Sequence, residues 1–266
     1  MKMYVSLVVT ALVLGACTPN QKNTSEITAP GSGVVGGQEI EVGSPLAKST
    51  VGIYESEIGY ICSGTLLPNN LVLTAGHCVD PKAKNLKIYF TNKMQGADDA
   101  AKRKVIGGVV HANYSKEMKA QDMADIAILK FEGDVPSDYT PAQLLTDGAQ
   151  LYNGREIFVA GYGLNWTIGV SRGAGVLRAT NLEIEEAQYS ATETKLAQTF
   201  RKGICSGDSG GPAYLVQDGQ LYVWGVASRG DSIPLPLVPK CMMYSIYTRV
   251  DAYQDWIQQA VNYLNP

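Results

Sequence analysis

From residue 34 onward, short segments rich in β-branched and aromatic residues recur at close spacing, and this pattern constrains the fold more than any other feature. They are 50–54 (TVGIY), 71–74 (LVLT), 86–90 (LKIYF), 105–110 (VIGGVV), 126–131 (IAILKF), 156–160 (EIFVA), 176–184 (VLRATNLEI), 221–227 (LYVWGVA) and 245–250 (SIYTRV). Gly, Pro, Asn and Asp punctuate the intervals, whereas βαβ units would need helical runs of roughly ten or more residues there. The pattern predicts an all-β sandwich or barrel. One helix is expected at the C-terminus, where Val250, Tyr253, Ile257, Ala260, Val261 and Leu264 fall at helical spacing and Asp251 is placed to cap the first turn.

Composition narrows the function classes. The 266 residues are 45% hydrophobic and 18% charged, enough apolar surface for a core and unlike a disordered, collagenous or coiled-coil chain. Lys and Arg number 22 against 25 Asp and Glu, a net charge of −3, and no basic stripe is present to neutralise a row of phosphates. Nucleic acid is therefore not an expected partner. Five cysteines without a C-x-x-C pair argue against a zinc ribbon, and the odd count sets one apart.

That odd cysteine is Cys17. Lys2 forms a short basic n-region and residues 3–16 are almost uninterruptedly apolar, a run shorter than the roughly 20 residues needed to span a bilayer. Residues 1–16 read as an export signal, with an ordinary signal peptide and an incidental Cys17 as the plainer alternative. Leu14-Gly15-Ala16-Cys17 resembles the bacterial lipobox, which implies cleavage before Cys17, a lipid on its sulfur and export from a bacterium. Thr18 follows instead of Asp, which points to the outer membrane. Residues 17–33 carry too little apolar surface to fold and read as a flexible tether or propeptide.

Only His77 and His111 can supply an imidazole. A serine hydroxyl needs an adjacent base to act as a nucleophile, and the base needs a carboxylate to orient it. His77 lies in Thr74-Ala75-Gly76-His77-Cys78 after a strand. Ser209 lies among glycines in Gly207-Asp208-Ser209-Gly210-Gly211-Pro212, and Asp125 opens the apolar run Asp125-Ile126-Ala127-Ile128-Leu129. Asp122 lacks such a strand directly after it, and His111 reads as a surface or loop histidine.

These three segments, in this order, resemble the trypsin/chymotrypsin-like serine proteases over essentially all of 34–266. Val34-Val35-Gly36-Gly37 resembles the family's mature N-terminus, Gly161-Tyr162-Gly163 its Gly-Trp-Gly, and Tyr253 to Ile257 its terminal helix. The resemblance implies two six-stranded antiparallel β-barrels, 34–145 and 146–266, the latter carrying the C-terminal helix, with the active site between them. It makes Ser209 the nucleophile, His77 the base and then acid, Asp125 the carboxylate, and the N–H groups of Gly207 and Ser209 the oxyanion hole. It pairs Cys62 with Cys78 and Cys205 with Cys241, leaving Cys17 for the lipid. A protease-fold binding protein is the alternative, disfavoured because His, Asp and Ser are all present.

The resemblance further implies a zymogen, cut at Gly33-Val34, whose new ammonium group pairs with Asp208. The other possibility is an uncleaved chain that is already competent. The specificity pocket would comprise Gly203, Ile204, Ser228, Gly230 and Ser245. Gly203 stands where tryptic members carry Asp, so Lys or Arg would be buried unpaired. The expected preference is small to medium apolar residues, with Ile204 as a shallow floor, Ser245 narrowing one wall and Arg229 in place of a flat Trp. Protein or peptide substrates, no cofactor, no metal, contact with a membrane only through Cys17, and a monomer complete the expectation.

Overall fold

The computed structural model describes residues 34–79, 85–117, 121–167, 170–199, 201–230 and 241–266. The expectations for the export signal, Cys17 and the tether lie outside these residues.

After β1 (Gln38–Glu39) and the short α1 (Pro45–Ser49), six strands close the first barrel. They are β2 (Thr50–Glu55), β3 (Tyr60–Leu67), β4 (Leu71–Thr74), β5 (Leu86–Tyr89), β6 (Lys102–Val110) and β7 (Ala127–Phe131), in the cyclic order β2-β3-β4-β7-β6-β5. Every pairing is antiparallel, so two-residue-period side chains alternate between core and surface or between core and the other barrel. Val51, Ile53, Leu66, Leu71, Leu73, Ile88 and Ile128 fill the interior, each contributing about 1.5–3 kcal/mol through burial.

After the two-residue β8 (Gln143–Leu144), the second barrel is built from β9 (Glu156–Gly161), β10 (Arg178–Glu186), β11 (Glu193–Ala197), β12 (Pro212–Gln217), β13 (Gln220–Gly230) and β14 (Tyr244–Arg249). It closes in the order β9-β10-β11-β14-β13-β12 and back to β9. Its core holds Ile157, Val159, Leu182, Ile184, Leu196, Leu215, Trp224 and Tyr247. The all-β, two-barrel expectation is met.

The two ends of the chain cross over. β1 pairs with β10 of the second barrel, and β8 runs parallel to β13, although both precede residue 146. The C-terminal α2 (Gln254–Leu264) docks on β6 and β7 of the first barrel, burying Ile257 and Ala260 in that core. Asp251 does not cap it: residues 251–253 form a 3-10 turn, and the Asp251 carboxylate accepts from Arg249 Nε at 3.0 Å instead. Three barrel strands, β3, β11 and β12, fall in segments that the sequence pattern did not mark.

Candidate active site

β4 ends at Thr74, and a 3-10 turn over Gly76–Cys78 lifts the His77 ring out of the first barrel, its side chain 32% exposed. Asp125 ends the segment entering β7 and is 1% exposed. Its Oδ2 lies 2.8 Å from His77 Nδ1, and its Oδ1 accepts from the His77 backbone N–H at 2.9 Å. A third donor comes from the second barrel, since the Ser228 hydroxyl donates to Asp125 Oδ2 at 2.7 Å. Burial pushes the Asp125 carboxyl up, but the His77 ring, Ser228 and the His77 N–H outweigh it and hold the group below its usual range. Asp125 is thus a buried anion that fixes the orientation of a half-exposed imidazole and stabilises it when charged.

Ser209 sits on a turn bolted across the barrel interface. The Ser63 N–H of β3 donates to Ser209 O at 2.8 Å, the Ser63 hydroxyl donates to Gly207 O at 2.8 Å, and the Tyr162 N–H donates to Ser63 Oγ at 2.9 Å. Ser63 was not legible as a hub, because nothing local distinguishes it. Two glycines make the turn possible. Gly207 has φ +98°, and a Cβ on Gly210 would lie 2.0 Å from Thr74 Oγ1 and 2.5 Å from Ser63 O. Cys78, bonded to Cys62, lies beside this turn, its Sγ 3.5 Å from Ser209 O. Among the described residues no hydrogen bond joins the Ser209 hydroxyl to the His77 ring, a contact that such sites form or tighten when substrate binds. Nor do the Gly207 and Ser209 backbone N–H groups find an acceptor among those residues.

Asp208 is fully buried between Gly161 and Gly163, with Oδ1 accepting from Gly163 N and Oδ2 from Cys205 N, each at 2.8 Å. Desolvation dominates these two bonds and pushes its carboxyl up to about 7. Val34 is buried in the second core, and Val35 pairs with Gly203 through both backbone bonds. Val34, whose nitrogen is a peptide nitrogen in this uncut chain, is thereby held in the neighbourhood of Gly203.

The remaining predicted residues surround this centre. Gly230 on β13 pairs with Ser245 on β14, whose fully buried hydroxyl has no partner among the described residues. Cys205 is bonded to Cys241. Gln198, which the sequence did not single out, lies against Gly203: its amide donates to Ile204 O at 3.2 Å and Cys241 O at 2.8 Å and accepts from Ile204 N at 3.1 Å. Ile204, expected as the floor, belongs to the buried second core that also holds Val34. Ser228, expected as a wall, spends its hydroxyl on Asp125. Arg229 is buried in a bidentate pair with Glu193 at 2.7 and 2.9 Å. The His111 ring meets Tyr253 edge-on and Trp256 at a tilt, with centroids 5.1 and 5.2 Å away. Ligand atoms of Cys62, His77 and Cys78 lie within 4.8 Å of one another, but both sulfurs are committed to the disulfide and offer no thiolate.

The sequence matches the family model for Trypsin over residues 34–257, nearly the whole of the described fold. The chain belongs to the trypsin family. It is 26% identical over 253 residues to chymotrypsin-like elastase family member 1 of Canis lupus familiaris, covering 90% of this chain and 96% of that protein. It is 26% identical to a trypsin of Phaedon cochleariae, with 96% of both chains covered, and 30% identical over 215 residues to a venom protease of Bombus pensylvanicus, covering 73% and 83%. This trypsin-family chain is a serine endopeptidase, a hydrolase whose substrates are proteins or peptides.

Proposed function

We propose that this endopeptidase cleaves peptide bonds with Ser209 as nucleophile, His77 as general base and then acid, and Asp125 as the carboxylate that fixes the imidazole tautomer. The observation that carries the reading is the Asp125 carboxylate, buried and bonded to both His77 Nδ1 and His77 N, in a fold that fastens the Ser209 turn beside Cys78. Ser209 Oγ attacks the substrate carbonyl as His77 Nε2 takes its proton. The tetrahedral oxyanion is met by the Gly207 and Ser209 N–H groups, His77 returns the proton to the leaving amine, and water then hydrolyses the acyl-enzyme by the same path.

The pocket reading is small to medium apolar residues before the scissile bond. Its support is the absence of a carboxylate at Gly203, the Gln198 amide held there by backbone partners, and the pairing of Ser245 with Gly230. Residues 231–240, with Asp231, lie outside the described residues. The activation reading is cleavage at Gly33-Val34, after which the freed ammonium group neutralises Asp208. Its support is a buried acid whose described partners are two neutral amides, in a fold that already seats Val34 in the second core. An exported protein lipidated at Cys17 and released by that cut remains part of the same proposal, on the sequence alone.

The test is incubation of 34–266, with Val34 as its true N-terminus, with a mixed peptide library, and a fluorophosphonate probe in parallel. Expected are cuts after Ala, Val, Leu or Met and probe on Ser209, both lost in Ser209→Ala. Cuts after Lys or Arg would overturn the pocket reading, and an unlabelled Ser209 in folded protein would overturn the triad. Full activity in protein still carrying residues before Val34 would overturn the activation step.

A further inference from the structure

The segment that delivers Asp125 is conformationally costly. Asp122 has φ +54° and Ala124 φ +50°, in the left-handed region that non-glycine residues occupy only when surrounding contacts hold them there. Those contacts come from the second barrel. Glu193, fully buried at the start of β11, accepts the Met123 backbone N–H at 3.3 Å, between the two strained residues. Its neighbour Thr192 donates from N and Oγ1 to Asp122 Oδ1 at 2.9 and 2.7 Å, and Ser190 Oγ donates to the same oxygen at 2.6 Å. Thr248, opposite Glu193 in the sheet, donates to Asp125 O at 3.1 Å.

The same Glu193 grips the other arm of the site. Both its oxygens receive the Arg229 guanidinium, and the residue before Arg229 is Ser228, whose hydroxyl holds Asp125 Oδ2. A buried ion pair is a weak device for stability, since apolar residues of similar volume often do as well or better. A planar fork held bidentately is a strong device for fixing geometry. We infer that the Glu193–Arg229 pair is a positioning device that sets the angle of the Asp125 carboxylate toward His77 from two sides at once, through Met123 and through Ser228. This deepens the proposed mechanism and rests on it. Neither residue touches the reacting atoms.

The test compares protein cut before Val34, so that Val34 is its true N-terminus, with the same protein carrying Glu193→Leu/Arg229→Met, which removes the link without stranding a buried charge, or Arg229→Lys, which keeps charge but not the fork. Three readouts are taken: kcat and KM separately, labelling of Ser209 by fluorophosphonate, and the proton NMR resonance of His77 Nδ1–H, assigned against His111→Gln because the chain has only two histidines. In the double variant kcat should fall about 10- to 100-fold with KM little changed, as misplacement of a group acting at a distance does. The His77 resonance should shift or broaden, and Arg229→Lys should recover only part of the loss. Wild-type kcat with an unmoved resonance would overturn the inference, and so would a change confined to KM, which would make Arg229 a substrate contact. Should the double variant not fold, Thr192→Val, which removes one strap on Asp122, must lower kcat in the same direction, and no change there would overturn it. Failure of the triad reading is separable: wild-type Ser209 would then go unlabelled, while the resonance would still report the Asp125–His77 geometry.

Discussion

The two barrels bury different things. The first is closed around Val, Ile and Leu, with the carboxylates of Glu55 and Asp125 as its buried charges among the described residues. The second encloses Arg178, Glu193, Asp208 and Arg229 besides its own apolar core. Glu55 is satisfied locally by the backbone N–H groups of Glu57 and Asn85. Glu193 and Arg229 instead reach across to the segment that carries Asp125, and Asp208 sits directly before Ser209. A buried charge is expensive unless paired, so where several gather they mark where geometry is being held. The first barrel supplies the imidazole and its carboxylate, and the second supplies the serine turn and most of the clamps.

Four measurements test this division between the barrels. The largest effects are catalytic: Ser209→Ala should lower kcat by about 10⁶-fold and Asp125→Asn by about 10⁴-fold, with the fold unchanged by circular dichroism. A loss in Asp125→Asn as small as in an exposed control would remove Asp125 from the chemistry.

Next come the cross-links. Loop-closure entropy makes Cys205–Cys241, 36 residues apart, worth about 4 kcal/mol and Cys62–Cys78, 16 apart, about 3 kcal/mol. Chemical denaturation of the paired Cys→Ala variants should rank them so. The reverse ranking would place the greater dependence on a cross-link in the first barrel.

Ile53→Ala, in the first core, should cost about 2–5 kcal/mol of stability while kcat of the folded fraction stays near wild type. A large loss of kcat would show that the first barrel is no passive support.

The last effect is read as a slope. With its folded value near 7 against 3.8, Asp208 binds a proton more tightly in the folded state, so its contribution is full below about pH 4 and is lost as pH rises toward 7. Stability of protein not cut before Val34 should therefore fall over that interval, and Asp208→Asn should flatten the fall. After cleavage an ammonium partner would depress the carboxyl and remove the slope. An unchanged slope in cleaved protein would argue against the Val34–Asp208 pairing.

Much of the fold was legible because parallel cues agreed: β2, β4, β5, β7, β9 and β13 are dense in Val, Ile, Leu, Tyr and Phe between turn residues. β3 was diluted by Cys62, Ser63 and Gly64, β12 begins at Pro212, and β11, ETKLA, is made of residues that also suit a helix. They are strands because a closed barrel needs their backbone groups as partners, and that demand arises only once the neighbours are in place. The C-terminal helix was legible from its spacing, but its docking on the first barrel and the loss of Asp251 to Arg249 were not.

By itself the sequence determined the chemically capable groups and the local backbone they need. His77 follows a strand, Asp125 opens another, and Ser209 lies in a turn whose Gly207 and Gly210 meet steric limits written into GDSGGP. Only the tertiary structure decided which oxygen meets which proton. Ser228 reaches Asp125 across 103 residues, Glu193 meets Arg229 across 36, and Asp208 is stripped of water by strands far from it in the chain. A local conformation is set by neighbours within a few residues and can be read from them, whereas burial and charge pairing depend on barrel closure.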